Sequence, residues 1–222
     1  IDRFSSSIEE DDIPKGWKAL NFEKILVHTK YIVENDGDNY FVKAVSRASA
    51  SGIYKAVDID PKIYNTIQWQ WKVENILKKG DETKKSGDDY SARVYITFRY
   101  NPENVSLWEK TKYGAIKLIY GQYPPKSALN YIWANKLPKG ESIDNAFTDK
   151  AKMIAVESGD REIGKWIKEE RNLYEDYKRL FREEPPHIIG IAIMTDTDNT
   201  GESAVAYYDD IVLLTQKMQC NF

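Results

Sequence analysis

Cysteine is almost missing from this sequence: of 222 residues, only Cys220 carries a thiol. An intramolecular disulfide is therefore excluded, and so is any metal centre built from several cysteines. Histidine is nearly as scarce. His28 and His187 are the only two, so one chain cannot assemble a three-histidine zinc site. No apolar run approaches the ~18 residues that a membrane-spanning helix requires. Concentrated positive charge is lacking too. Thirty-two Lys and Arg stand against 35 Asp and Glu, a net charge of −3, so general binding to nucleic acid is not expected. The pairs Lys78–Lys79 and Lys84–Lys85 sit among acidic residues and predict a solvated loop. The motifs G-x-S-x-G and H-E-x-x-H, the P-loop and the dinucleotide glycine pattern do not occur.

Aromatic residues, in contrast, are plentiful: 15 Tyr, 7 Phe and 6 Trp. Tyr and Trp join a flat apolar face to a polar handle, which suits both sheet packing and stacking on sugar rings. Most of the chain reads as short strands. Lys24–Glu34 and Tyr40–Ser46 flank Asp36-Gly37, a dipeptide that supplies the positive φ angles of a tight hairpin. Gly52–Ile59, Thr66–Val73, Tyr90–Phe98, Ala128–Asn135, Ala151–Ser158, Lys165–Glu170, His187–Thr195 and Ser203–Thr215 follow. Within Thr66–Val73, Trp69, Trp71 and Val73 alternate with polar residues, giving one aromatic face. Helical spacing occurs near residues 106–120 and 172–182, each stretch closed by a double proline. Regular short strands and two helices predict an all-β fold. The expected architecture is a jelly-roll-like antiparallel β-sandwich with two helical insertions, one domain over 1–222. Residues 1–20 form a polar run-in, and "IDRFSSSIEEDDIPKGW" has the character of a segment following a signal-peptide cleavage site. That reading predicts export.

Several blocks carry a resemblance: "WQWKV", "GDDYSARVYITF", "NYIWAN", "FTDKAKMIAVESG", "RNLYEDYKRLF" and "IGIAIMTDTDNTGESAVAYYDDI". Together, from Trp69 to Ile211, the chain resembles a family of uncharacterised bacterial envelope proteins defined by domain of unknown function 3047. The resemblance implies a periplasmic or extracellular protein and brings no established activity. The outline is also similar to the jelly rolls of carbohydrate-binding modules, whose last strand often reads Y-x-D-D-I, as Tyr207–Ile211 does here.

Three constellations bear chemistry. The turn "DTDNTGE" places oxygens at Asp196, Asp198 and Thr200 and a glycine at 201, the first half of a calcium loop. Tyr207 stands where the bidentate glutamate should be, so the pattern is not an EF-hand. Asp209 and Asp210 are the further oxygen ligands that a calcium site here would draw on. The competing reading is a hairpin turn whose Asp, Asn and Thr side chains hold their own backbone, with Arg93 or backbone N–H groups offsetting the paired carboxylates. The second constellation, Gly87–Asp89, reads as a turn ahead of a strand. The third is a polar line on alternating strand positions. Arg93 goes with Tyr95, Tyr131 with Trp133, Met153 with Glu157 and Met194 with Asp196. If those faces coincide, Trp71, Arg93, Tyr95, Tyr131, Trp133, Glu157 and Asp196 line one concave, aromatic-walled groove.

The function expected on these grounds is an exported, non-catalytic binding module for carbohydrate. The alternative is a polysaccharide-active enzyme, a lyase or a glycosidase using Glu157 and Asp196 as its carboxylate pair. Third comes a self-associating envelope protein, with edge strands or Cys220 joining chains.

Overall fold

The computed structural model describes residues 4, 13–100 and 125–215. Among these residues are twelve strands: β1 Lys18–Leu20, β2 Lys30–Asp36, β3 Asn39–Arg47, β4 Ala50–Ile59, β5 Thr66–Val73, β6 Arg93–Phe98, β7 Ser127–Ala134, β8 Ser142–Asn145, β9 Thr148–Ser158, β10 Ile167–Asn172, β11 Ile188–Asp196 and β12 Ser203–Leu214. One helix, α1, spans Leu173–Phe181. The strands form two sheets, ordered β1-β4-β11-β6-β7-β9-β8 and β10-β5-β12-β3-β2. All pairs are antiparallel except β7 with β9. The expected β-sandwich is present. The two expected helical insertions are not supported. Residues 106–120 lie outside the described residues, and besides α1 the described residues hold only a 3-10 turn at Lys85–Gly87. No helix among them is long and apolar enough to cross a membrane.

Alternation builds the core. Val42 and Ala44 of β3, Ile67, Trp69, Trp71 and Val73 of β5, and Tyr208 of β12 meet Ile53, Val94, Ile96, Phe98, Leu129, Tyr131, Trp133, Ile191 and Ile193 of the larger sheet. Trp71 lies between Trp69, at 5.4 Å, and Trp133, at 5.8 Å; Trp69 in turn meets Tyr131 at 5.3 Å. Each such ring pair adds about 0.5–1.5 kcal/mol beyond its buried area. α1 closes one end of the core with Leu173 and Tyr177. Asn172 caps it, its side chain accepting from the Glu175 N–H, and Arg182 ends it in the left-handed conformation.

Two strands were not foreseen. β1 is three residues long, and β8 falls in a segment whose polar residues predict a loop. Only the second half of the expected Lys24–Glu34 strand is extended. Leu26 and Val27 instead stand exposed in a loop.

Candidate functional site

The single groove expected from alternation does not form, and strand register is the reason. Val94 pairs with Tyr131 and Arg93 with Ile132. Directly paired residues share a face, so Tyr131 joins Val94 in the core while Arg93 faces outward; a slip by one residue would exchange them. Trp71, Tyr131 and Trp133 are buried between the sheets and are not stacking platforms. A register shift between Ile132 and Trp133 then sets Glu157 opposite Trp133, on the inner side. Glu157 accepts a hydrogen bond from Lys139. It does not share a face with Asp196. Asp209 and Asp210 belong to the other sheet. The Asp209 carboxylate holds Asn39 and the Asp210 N–H, and Asp210, left-handed at a bulge of β12, accepts from Gln70. Neither joins the acidic turn. Cys220 lies outside the described residues.

Arg93, Tyr95 and Asp196 do come together, on the outer face of the larger sheet, because Arg93 pairs with Met194 two residues before Asp196. Arg93 donates to Asp196 Oδ2 at 2.5 Å. Both residues are almost closed to solvent, 4% and 1% exposed. The guanidinium lies between the rings of Tyr90, at 4.8 Å, and Tyr95, at 5.2 Å. Such contacts favour a cation, more so when water is excluded.

The acids at Gly87–Asp89 close against the same turn. Asp89 Oδ1 accepts from the Asn199 N–H and side-chain amide, and Oδ2 from the Thr200 N–H at 2.6 Å. Gly201, at φ +69°, supplies the left-handed residue that lets the chain leave the turn. Asp88 accepts from the Tyr90 hydroxyl and the Asn145 amide. The turn is thus held by Arg93 on Asp196 and by its own amides on Asp89. Beneath it hydroxyl bonds tie the sheets: Tyr208 donates to the Met194 carbonyl, Thr29 to the Thr195 carbonyl and Tyr31 to the Ser51 carbonyl.

Negative charge remains in surplus. Burial raises the Asp196 carboxyl well above its usual range, Arg93 opposes the rise, and Asp89, Asp88 and Asp198 add to it. Asp198 is also raised, by burial and by Asp89. Burial pushes the Tyr95 hydroxyl up to about 12, so it is not poised as a base at neutral pH. Above the turn lies an open cleft of about 680 Å³. Its floor holds Arg93, Met194 and Asp196; Asp88, Asp198 and Asn199 reach in from one side. Phe22, 38% exposed, and Phe147, 56% exposed, supply the aromatic walls.

A family model described as "Protein of unknown function (DUF3047)" matches residues 15–212. The chain belongs to the DUF3047 family. No curated protein matches its sequence. Among solved structures, this DUF3047 chain is similar to one from work on CBM4 structure and function, at 11% identity and a TM-score of 0.38, covering 93% of this chain and 99% of the other. It is also similar to an exo-β-agarase, at 9% identity and TM-score 0.35, and to a β-1,2-glucanase from Parabacteroides distasonis, at 10% and 0.34. Those matches cover 96% and 90% of this chain but 25% and 23% of the enzymes.

Sequence reasoning had Asp88 and Asp89 only as a turn ahead of a strand, and it missed Phe22 and Phe147 in this site. A signal existed for the aspartates: they stand four and five residues before Arg93. None existed for the phenylalanines, which sit in loops and are brought to the cleft only by tertiary structure.

Proposed function

We propose that this protein is a non-catalytic carbohydrate-binding module and that the cleft over the acidic turn is its binding site. The observation that carries the reading is the pairing of exposed Phe22 and Phe147 with a floor of carboxylate, amide and guanidinium groups in one cleft of about 680 Å³. That size falls within the ~300–1,000 Å³ usual for small-ligand sites. Aromatic rings stack on the apolar faces of pyranoses, and carboxylates and amides accept from and donate to ring hydroxyls. The lining carries Glu23, Asp88, Asp196 and Asp198 against Lys24 and Arg93, so like-charge repulsion disfavours uronates and favours neutral sugars.

A glycan array followed by calorimetry tests the reading. Neutral oligosaccharides are expected to bind without turnover, and Phe147→Ala is expected to weaken them about tenfold, equivalent to ~1.4 kcal/mol. Binding left intact by Phe147→Ala and Phe22→Ala together would remove this cleft as the site. Release of new reducing ends would favour the glycosidase reading.

A further inference from the structure

We propose that Asp89, Asp196 and Asp198 bind a calcium ion at the base of the cleft. One carboxylate oxygen from each lies within 4.8 Å of the other two. Oxygens that close can reach one cation, and carboxylates delivered by a loop and a turn suit calcium, which takes ligands flexibly at ~2.3–2.6 Å, better than magnesium, which demands a near-ideal octahedron at ~2.0–2.1 Å. A second observation is independent of that clustering. Asp196 Oδ1 is buried and has no hydrogen-bond partner, although Oδ2 of the same carboxylate is bound by Arg93. A buried carboxylate oxygen left bare is costly, and nearly all such atoms in folded proteins find a partner.

Charge points the same way. Asp88, Asp196 and Asp198 line the cleft together, and Arg93 already binds Asp196 Oδ2. The donor set is oxygen alone, which selects a hard cation. Asp89 makes up part of what the linear sequence lacks. The turn has no glutamate at the twelfth position of a calcium loop, and the chain ahead of β6 delivers a carboxylate to the same place. Asp89 Oδ2 accepts only the Thr200 N–H and still has a lone pair for the metal, while Asn199 engages both on Oδ1. The open cleft admits water for the rest of the six to eight ligands that calcium takes. The ion would then hold the Arg93 strand, the preceding loop and the turn as one unit, whether or not a sugar binds above it.

The test uses the full chain stripped of metal, with calcium chloride as the only ligand. Calorimetry is expected to show about one site, with magnesium at least tenfold weaker. At a hundredfold excess over Kd, calcium is expected to raise Tm by about 5 °C or more. Asp198→Asn, at a half-buried position, is expected to fold and to lose calcium affinity at least tenfold. If that variant does not fold, calcium-displaceable terbium luminescence on the native chain serves in its place. The absence of both binding heat and a Tm shift at about 10 mM calcium, above the ~1 mM of weak extracellular calcium modules, overturns the proposal. So does native affinity in a folded Asp198→Asn, or terbium emission that calcium leaves unchanged. No sugar enters these measurements, so this proposal and the glycan reading fail separately.

Discussion

Two buried carboxylates, Asp176 and Asp196, each face arginine, and they differ in how completely they are satisfied. Asp176 opens α1 and accepts from Arg171 Nε at 2.9 Å, Arg171 Nη2 at 2.6 Å, Arg179 at 3.2 Å and the Tyr131 hydroxyl at 3.1 Å. Asp196 has Arg93 Nη2 and nothing on Oδ1, while Arg93 Nε is also without a partner. Asp176 is not among the residues lining the cleft; Asp196 forms part of its floor. A carboxylate with every lone pair engaged ties a helix to a sheet and has nothing left for a ligand. A carboxylate left half-satisfied beneath an opening keeps bonding capacity in reserve. Burial and charge alone would class the two together; partner counts separate them.

Mutation should widen that difference. Asp176→Asn removes the charge on which Arg171, Arg179 and the Tyr131 hydroxyl converge and is expected to cost about 3–5 kcal/mol in denaturant unfolding. A loss below about 1 kcal/mol would break the comparison. Asp196→Asn is expected to cost only about 1–2 kcal/mol in calcium-free buffer. It weakens the bond to Arg93 but also relieves repulsion from Asp88, Asp89 and Asp198. Equal losses at the two sites would mean that Asp196 is as purely structural as Asp176.

A half-buried acid sharpens the comparison through pH. Glu169 of β10 is pushed up to about 7 by burial and by Glu157, with Lys139 opposing. Its Oε1 has no partner. Its folded pKa exceeds its unfolded value near 4.5, so the folded state binds the extra proton between those limits. Stability from this group is therefore greatest below about pH 4.5 and falls as pH rises through 7. Glu169→Gln should remove that slope and stabilise the protein at pH 8 by about 1 kcal/mol, after allowance for its partial exposure. An unchanged pH profile would refute the assignment. The smallest effect is expected at the cleft wall. Phe147→Ala should change stability by less than about 0.5 kcal/mol, since Phe147 is largely exposed. A larger loss would show that the ring is needed for folding rather than held in reserve for a ligand.

Much of the fold was legible because alternation is a local property. The aromatic face of Thr66–Val73, the inward set Val94, Ile96 and Phe98, and the helix after Asn172 are all visible in runs of a few residues. The pairing of Arg93 with Asp196 was legible as well, from two strands whose outward positions are both charged. What alternation cannot supply is the register between strands. It names two faces for each strand and does not say which face of one meets which face of the next. Register placed Tyr131, Trp133 and Glu157 on the inner side, and a bulge reversed the phase of Glu157. The expected single concave groove was divided there. Tertiary structure alone brought Asp88 and Asp89 under the turn and carried Phe22 and Phe147 to the cleft, because those residues lie in loops, where sequence holds no periodicity to read. Sequence by itself determined the elements and their faces, since those follow from backbone geometry within a few residues. The site was decided by pairing and loop placement, which depend on contacts between positions more than a hundred residues apart, such as Thr200 with Asp89.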